Sequence, residues 1–292
     1  MNETVHRRFR TQVEQRRAML LPGAANALAA LVIKDLGFEA VYLSGAGLTN
    51  TFLGLPDLSF VSLPEIAQHT SAIRDVVDIP IVVDADTGFG NALNVQHTVR
   101  VLERAGASAI QLEDQISPKR CGHFTGKDVL PPEEMVSKIK AAVDARTDAD
   151  IMIIARTDAR AVDGFQAAVD RANSYAEAGA DLLFVEAPES LEEIHAIPRL
   201  VNAPQLINIV VGGRTPAVPR EDLSASGFSL VLYANTALQG AVHGMQQALR
   251  GLMEAGILDE SAPVASFRER QRLVRKPLFD ALERRYGGEL KP

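Results

Sequence analysis

Short apolar runs recur along the chain, and each ends in polar residues or glycine. They are rich in valine, isoleucine and leucine, which is typical of strands buried on both faces of a parallel sheet. The runs cover residues 18–25, 40–47, 79–88, 109–115, 151–159, 182–188, 205–213 and 229–237. The pattern therefore predicts eight parallel strands.

Stretches with helical spacing lie between these runs. In 94–107 one face carries Val95, Val99 and Leu102, and the phrase Ala-Gly-Ala that follows resembles a helix C-cap before a strand. Strand–helix alternation repeated eight times predicts a (β/α)₈ TIM-type barrel. An open doubly wound sheet also alternates, but the first βα turn does not match the Gly-x-Gly-x-x-Gly pattern. We expect one barrel domain over 1–292, with an N-terminal helix at about 1–17 and C-terminal helices at about 250–292.

Composition narrows the classes of protein. The chain has 292 residues, and its net charge of −7, with no compensating basic block, argues against nucleic-acid and anionic-membrane partners. Its apolar runs are too short to span a bilayer, which needs roughly 18 residues. The chain contains one cysteine, so an internal disulfide is impossible, and a reducing cytoplasmic location is expected.

Polar residues close the predicted strands, and in a TIM barrel the carboxyl ends of the strands form the active-site face. Asp84 and Asp86 are two positions apart on the third run, so their side chains are predicted to point the same way. Glu113 closes the next run. Three carboxylates favour a hard cation, Mg²⁺ or Mn²⁺. The alternative is that these acids cap a helix or pair with Arg156.

Two further features each allow a structural and a functional interpretation. The turn at 44–46 is either a tight βα connection or a set of backbone N–H groups that holds a carboxylate. Arg156 either pairs with a structural acid or binds a substrate carboxylate in two hydrogen bonds. Glu186 and Asn208 are weaker signals, because a polar residue at a strand end often bonds only to neighbouring backbone.

The single cysteine lies in the segment Pro-Lys-Arg-Cys-Gly-His, residues 118–123. A packing cysteine prefers apolar neighbours, whereas a reactive thiol favours nearby positive charge and partial exposure. The setting of Cys121 favours the second kind. His123 is either a surface residue or a group that tunes the thiol.

Six segments in order along residues 18–250 resemble the isocitrate lyase/phosphoenolpyruvate mutase superfamily. They are YLSGAG, VDADTGFGN, IQLEDQ, PKRCGH, IIARTDA and NIVVGGRTP. The most specific is KRCGH, which is similar to the signature of the carbon–carbon lyase branch that contains the isocitrate, 2-methylisocitrate and 2,3-dimethylmalate lyases.

The resemblance implies a (β/α)₈ barrel with a helix exchanged between subunits of a homotetramer. It implies Mg²⁺, held partly through water, near four acids: Asp57, Asp84, Asp86 and Glu113. It implies that the α-keto acid end of a small carboxylate ligand is held by Tyr42, Ser44, Gly45 and Ala46.

The resemblance also implies roles for the remaining site residues. Cys121 would be the catalytic acid, on a loop with Lys119, Gly122 and His123. Arg156 would bind a carboxylate, and Glu186 and Asn208 would line the site. The expected activity is reverse-aldol cleavage of a 2-hydroxy dicarboxylate to pyruvate and a second carboxylate, such as propionate or succinate.

The chain departs from many relatives at two places. Val211 stands where they have an acid, and Ala234 and Asn235 follow Tyr233 where they have proline. We therefore expect a different preference for substrate side groups. Oxaloacetate acetylhydrolase, oxaloacetate decarboxylase and a barrel without catalysis are the alternatives. The motif KRCGH counts against the decarboxylase and the phosphonate mutases.

Overall fold

The computed structural model describes residues 4–120, 122, 126–259 and 261–287. Within them, eight parallel strands pair in sequence order and the last pairs with the first, which closes a barrel. The strands are β1 (Met19–Ala24), β2 (Val41–Leu43), β3 (Ile81–Asp84), β4 (Ala109–Glu113), β5 (Met152–Thr157), β6 (Leu182–Val185), β7 (Gln205–Asn208) and β8 (Leu230–Tyr233). The predicted TIM-type barrel is confirmed, with each strand inside its predicted run.

Helices precede the barrel, connect its strands and follow it. They are α1 (Val5–Glu14), α2 (Ala27–Asp35), α3 (Gly45–Leu48), α4 (Leu63–Arg74), α5 (Ala92–Ala105), α6 (Pro132–Ala145), α7 (Phe165–Glu177), α8 (Leu191–Leu200), α9 (Arg220–Ser226), α10 (Thr236–Ala255), α11 (Phe267–Leu273) and α12 (Lys276–Tyr286). The chain therefore becomes helical directly after β8, earlier than the predicted start near residue 250.

Alternation along the strands separates two apolar layers. One layer joins outward-facing strand residues such as Val41 and Ile153 to the surrounding helices. The other fills the barrel and contains Tyr42, Val82 and Ile154. Since strand side chains repeat with a period of two, the residue two positions after an inward apolar side chain also faces the barrel axis.

The amino-terminal helix seals one end of the barrel. Phe9 and Val13 of α1 are fully buried and belong to the same apolar cluster as Met19 and Leu230, which begin β1 and β8. The opposite mouth, formed by the carboxyl ends of the strands, is left for the polar residues.

The helix after β8 does not pack like the helices that connect the strands. No residue of α10 is buried, although the helix is 20 residues long. Among the described residues, no helix is both long and apolar enough to cross a membrane.

Candidate active site

The carboxyl ends of the strands carry a ring of buried polar side chains. Asp84, Arg156, Glu186 and Asn208 each lie two positions after an inward-facing apolar residue of their own strand run, and Glu113 lies four positions after inward-facing Ala109. The pleat therefore turns all five toward the barrel axis. Five predicted site residues thus come from five different strand ends and meet at one mouth.

Asp86 reaches this mouth by a different route from the one predicted. β3 ends at Asp84, and Asp86 follows in a turn with a φ of 47°. The backbone N–H of Asp86 donates to Asp84 Oδ1 over 3.2 Å. The prediction that strand alternation aligns the two side chains is wrong, because a left-handed turn brings them together instead.

Lys119 lies among the carboxylates. Its ammonium donates to Asp57 Oδ1 at 2.7 Å and lies 3.1 Å from Asp86 Oδ1. Burial disfavours the lysine charge, but Asp86, Glu113 and the neighbouring acids outweigh it and hold the pKa of Lys119 well above its usual value. Burial raises the pKa of Asp86 to about 7 despite Lys119. The cluster therefore holds more negative charge than one lysine neutralises.

Glu113 shows the shortage of positive charge most clearly. It is fully buried, and neither of its carboxylate oxygens accepts a hydrogen bond from the described residues, although Oε2 lies 3.3 Å from Arg156 Nη1. Burial raises its pKa well above the usual value. A buried carboxylate without hydrogen bonds is costly unless a cation or bound water completes it.

The donor chemistry fits Mg²⁺ or Mn²⁺. The nearby groups are carboxylate oxygens, which hard cations prefer. Within the part of the chain that the structure describes, no three carboxylate, imidazole or thiolate groups form a ready-made set of direct metal ligands. Asp84, Asp86, Glu113 and Asp57 are the residues that would hold the cation.

The turn after β2 lies directly against the carboxylates. Ser44 caps α3, its Oγ accepts from Gly47 N at 3.0 Å, and Gly45 N donates to Asp84 Oδ2 at 3.3 Å. A Cβ at Gly45 would lie 3.2 Å from oxygens of both Asp84 and Asp86. The turn therefore has a structural role, and ligand binding by Ser44, Gly45 and Ala46 stays a prediction.

Tyr42 and Asn235 extend this side of the mouth. Tyr42 is buried, and burial together with the charge of Asp84 raises its pKa well above the usual value, so the phenol stays protonated. Ser44 Oγ lies 3.1 Å from Asn235 Oδ1. One of the residues that departs from the relatives' pattern thus contacts the predicted binding turn.

Arg156 pairs with protein acids. Its Nε and Nη2 donate to the two carboxylate oxygens of Asp158 at 2.9 and 3.0 Å, and Nε lies 3.5 Å from Glu186 Oε2. Burial opposes the charge on Asp158, but Arg156 and Lys127 lower its pKa to about 2. The structural interpretation of Arg156 is therefore correct, and its contact with a substrate carboxylate remains a prediction.

Sequence reasoning missed the residues behind Arg156. Asp158 N donates to Asp114 Oδ1 at 2.9 Å, while Thr157 Oγ1 and Tyr175 OH donate to Asp114 Oδ2 at 2.7 and 2.8 Å. Lys127 donates to Asp158 Oδ1 at 2.7 Å. Asp114 and Asp158 directly follow β4 and β5, which is a usable signal, but nothing in the sequence identifies Lys127 as the partner of Asp158.

The loop between β4 and α6 carries the cysteine motif. Lys119 and Gly122 are buried in it, whereas Cys121 and His123 lie outside the described residues. A Cβ at Gly122 would lie 2.4 Å from Arg156 Nη2 and 2.7 Å from Glu186 Cδ. The loop backbone therefore lies directly against the Arg156 side of the site.

Because Gly122 lies so close to Arg156 and Glu186, adding a single methyl group at Gly122 should strongly reduce turnover. Gly122→Ala should lower turnover by about 10²-fold, because the loop or Arg156 must move. Gly251→Ala on α10, where the nearest atom to the new Cβ lies at 3.8 Å, is the matched control. Steady-state kinetics on both variants checks the prediction, and an unchanged turnover for Gly122→Ala would contradict the close packing.

Comparison with known proteins agrees with the fold. The sequence profile of the family described as phosphoenolpyruvate phosphomutase matches residues 9–253. The chain belongs to the phosphoenolpyruvate mutase/isocitrate lyase superfamily. The predicted resemblance is confirmed.

Two relatives within the superfamily are carbon–carbon lyases by name. A 2-methylisocitrate lyase of Aeropyrum pernix is 49% identical over 248 residues, which cover 85% of this chain and 80% of that protein. A 2,3-dimethylmalate lyase of Eubacterium barkeri is 41% identical over 266 residues, which cover 90% of this chain and 92% of that protein.

Solved structures of superfamily members share the whole barrel. A 2,3-dimethylmalate lyase matches with a TM-score of 0.92, 31% identity and coverage of 99% and 98% of the two chains. An oxaloacetate acetylhydrolase bound to 3,3-difluorooxalacetate matches with a TM-score of 0.92, 29% identity and coverage of 99% of each chain. A phosphonopyruvate hydrolase bound to oxalate and Mg²⁺ matches with a TM-score of 0.88, 32% identity and coverage of 97% of this chain and 99% of that one.

Proposed function

We propose that the protein is a Mg²⁺-dependent carbon–carbon lyase that cleaves a 2-hydroxy dicarboxylate to pyruvate and a second carboxylate. Substituted malates, and 2-methylisocitrate with its third carboxylate, are the leading substrates. The observation that carries the proposal is the motif KRCGH, on a loop whose Gly122 lies against Arg156 and Glu186. The acidic cluster at the same mouth contains buried carboxylate oxygens of Asp86 and Glu113 that accept no hydrogen bond from the described residues. The two relatives above are a 2-methylisocitrate lyase and a 2,3-dimethylmalate lyase by name, which supports the lyase proposal.

The reaction requires two kinds of stabilisation. As the C2–C3 bond breaks, a carboxylate of the acidic cluster accepts the hydroxyl proton, C2 becomes the pyruvate carbonyl, and the bonding electrons pass to C3 beside a carboxylate. A bound Mg²⁺ supplies Lewis-acid stabilisation of the hydroxyl and carboxylate oxygens. The carbanion at C3 then needs one proton, which a thiol acid can donate.

The residues of this chain divide that work between two sides of the mouth. Asp57, Asp84, Asp86 and Glu113 would hold the cation, and Lys119 adds a positive charge beside Asp57 and Asp86. On the other side Arg156 faces the second carboxylate, with Glu186 and Asn208 beside it. Asn208 Oδ1 is buried and accepts no hydrogen bond from the described residues, so it is available to a ligand.

Product identification by mass spectrometry tests the proposal. The purified protein is incubated with Mg²⁺ and, separately, 2-methylisocitrate, 2,3-dimethylmalate, isocitrate, citramalate and oxaloacetate. Pyruvate with succinate or propionate would support the lyase and identify the substrate branch. Absence of cleavage of every hydroxy acid would contradict the proposal.

The second candidate activity is hydrolysis of oxaloacetate to oxalate and acetate. It is favoured by the TM-score of 0.92 with an oxaloacetate acetylhydrolase, the same value as for the dimethylmalate lyase. The higher sequence identity to the two lyases favours the first proposal. In the same experiment, oxalate and acetate from oxaloacetate would identify the hydrolase.

We also propose that the protein is a homotetramer in which α10 packs on a partner subunit. The helix exposes an apolar face formed by Val242, Met245, Leu249 and Leu252. A cavity of about 830 Å³ beside α2 is lined by apolar residues, including the exposed Leu28, Val32 and Leu36. Exposed apolar patches of this kind are typical of interfaces. A cytoplasmic location, supported by the single cysteine, stays a prediction.

The assembly proposal predicts that Leu249→Asp dissociates the oligomer, with subunit affinity weakened by about 30-fold or more because a charge replaces an apolar contact. Sedimentation velocity over a range of concentrations measures the effect. Gln247→Glu, on the opposite face of α10, should leave the oligomer intact. If Leu249→Asp sediments like the wild type, α10 is not the interface.

A further inference from the structure

Lys127 is a buried lysine that the proposed reaction does not use. It lies on the loop between β4 and α6, and its side chain is only 2% exposed. The ammonium donates to Asp158 Oδ1 at 2.7 Å and to the carbonyl oxygen of Gly122 at 2.5 Å. A buried lysine is retained only when its charge is paired and hydrogen-bonded, so both contacts stabilise this placement.

Asp158 connects this lysine to the active site. Both oxygens of Asp158 accept hydrogen bonds from Arg156, and the Asp158 backbone is fixed by Asp114. Asp114 in turn accepts from Tyr175 of α7. Lys127 therefore binds a rigid part of the barrel.

The other contact of Lys127 is to the carbonyl oxygen of Gly122, whose backbone is closely packed. A Cβ at Gly122 would meet Arg156 and Glu186, so its backbone lies directly over these side chains. The base of the loop is fixed separately. Gln115 and Val129 form an antiparallel β-bridge, and Ile116 N donates to the carbonyl oxygen of Asp128. Lys127 thus adds a connection near Gly122 that the base of the loop does not provide.

We infer that Lys127 is a positioning residue, which holds the Gly122 carbonyl beside Asp158 and so fixes Gly122 against Arg156 and Glu186. The inference rests on the proposed function for the step that it supports, since the group placed by the loop is the predicted acid Cys121. Lys127 itself has no contact with substrate in this role. If Lys127 had only a structural role, it would neutralise Asp158 without affecting the position of Gly122.

The test combines turnover with thiol chemistry in Lys127→Met, which keeps most of the length of the unbranched side chain but removes both hydrogen bonds. The chain has one cysteine, bonded directly to Gly122, so alkylation by iodoacetamide followed by intact mass gives a rate for that residue alone. Lys140→Met, an exposed lysine of α6, is the control. Pyruvate release and the thermal midpoint are measured on the same samples.

We expect Lys127→Met to lower kcat by about 10²-fold with KM changed by less than about 3-fold, because the loop group is misplaced rather than the ligand unbound. The alkylation rate should change by about 10-fold, the effect that a misplaced loop group implies. Lys140→Met should match the wild type in each measurement. A folded Lys127→Met protein with wild-type kcat and alkylation rate would overturn the inference, whatever its thermal midpoint.

Lys127→Arg keeps the experiment decisive if Lys127→Met does not fold. Arginine preserves the charge opposite Asp158, but its planar fork cannot place both hydrogen bonds as an ammonium does. We expect a folded protein with kcat about 10-fold below the wild type and an altered alkylation rate. Wild-type values for both would overturn the inference. If the wild type turns over no substrate, the proposed function fails, while the alkylation comparison still tests Lys127.

Discussion

Cys121→Ser should reduce turnover by about 10³-fold, within the range for loss of one general acid. A serine hydroxyl is a far weaker acid than a thiol, whose ordinary pKa is about 8.5. The substitution removes one proton donor and leaves the acidic cluster and Arg156 in place. Binding of Mg²⁺ and pyruvate, measured by calorimetry, should therefore be unchanged while cleavage is lost.

Chemical modification provides the control for this prediction. Because the chain has a single cysteine, iodoacetamide should inactivate the wild type in proportion to one alkylation per chain. Cys121→Ser should not be alkylated. Turnover near the wild-type value in Cys121→Ser, or full activity after complete alkylation, would remove Cys121 from the role of acid.

Asp84→Ala should abolish tight Mg²⁺ binding and with it activity. Asp84 lies at the centre of the cluster, where its oxygens accept from Gly45 N, Asp86 N and Gln111 Nε2. Removing it deletes a candidate ligand and frees the turn that orients Asp86. We expect Mg²⁺ affinity to fall by about 100-fold or more.

Metal titration by calorimetry, or by Mn²⁺ electron paramagnetic resonance, measures the loss. Asp75→Ala is the matched control, because Asp75 is an exposed carboxylate at the end of α4. It should bind metal like the wild type. Unchanged Mg²⁺ affinity in Asp84→Ala would contradict the assignment of the cluster as a metal site.

Strand periodicity accounts for what the sequence predicted well. In a barrel, an inward apolar residue fixes the direction of the residue two positions later, so Ile154 predicts Arg156 and Phe184 predicts Glu186. The local sequence pattern is sufficient to predict these side-chain directions, because the strand pleat alternates them with a period of two.

Prediction was poorer where the chain leaves the strands. Asp86 reaches the site through a left-handed turn, and Lys127 reaches Asp158 across 31 positions of sequence. Such contacts depend on how loops fold back on the barrel, which periodicity does not encode. Cys121 and His123 lie outside the described residues, so their positions stay predictions.

Metal-dependent release of pyruvate is the most direct test of the central claim. The protein is stripped with EDTA, mixed with the substrate identified by mass spectrometry, and followed in a coupled pyruvate assay while Mg²⁺ is added. We expect no pyruvate before the addition and a saturable rise in rate with Mg²⁺, which Asp84→Ala should lack. Pyruvate formed at the full rate by the metal-free protein would contradict the central claim.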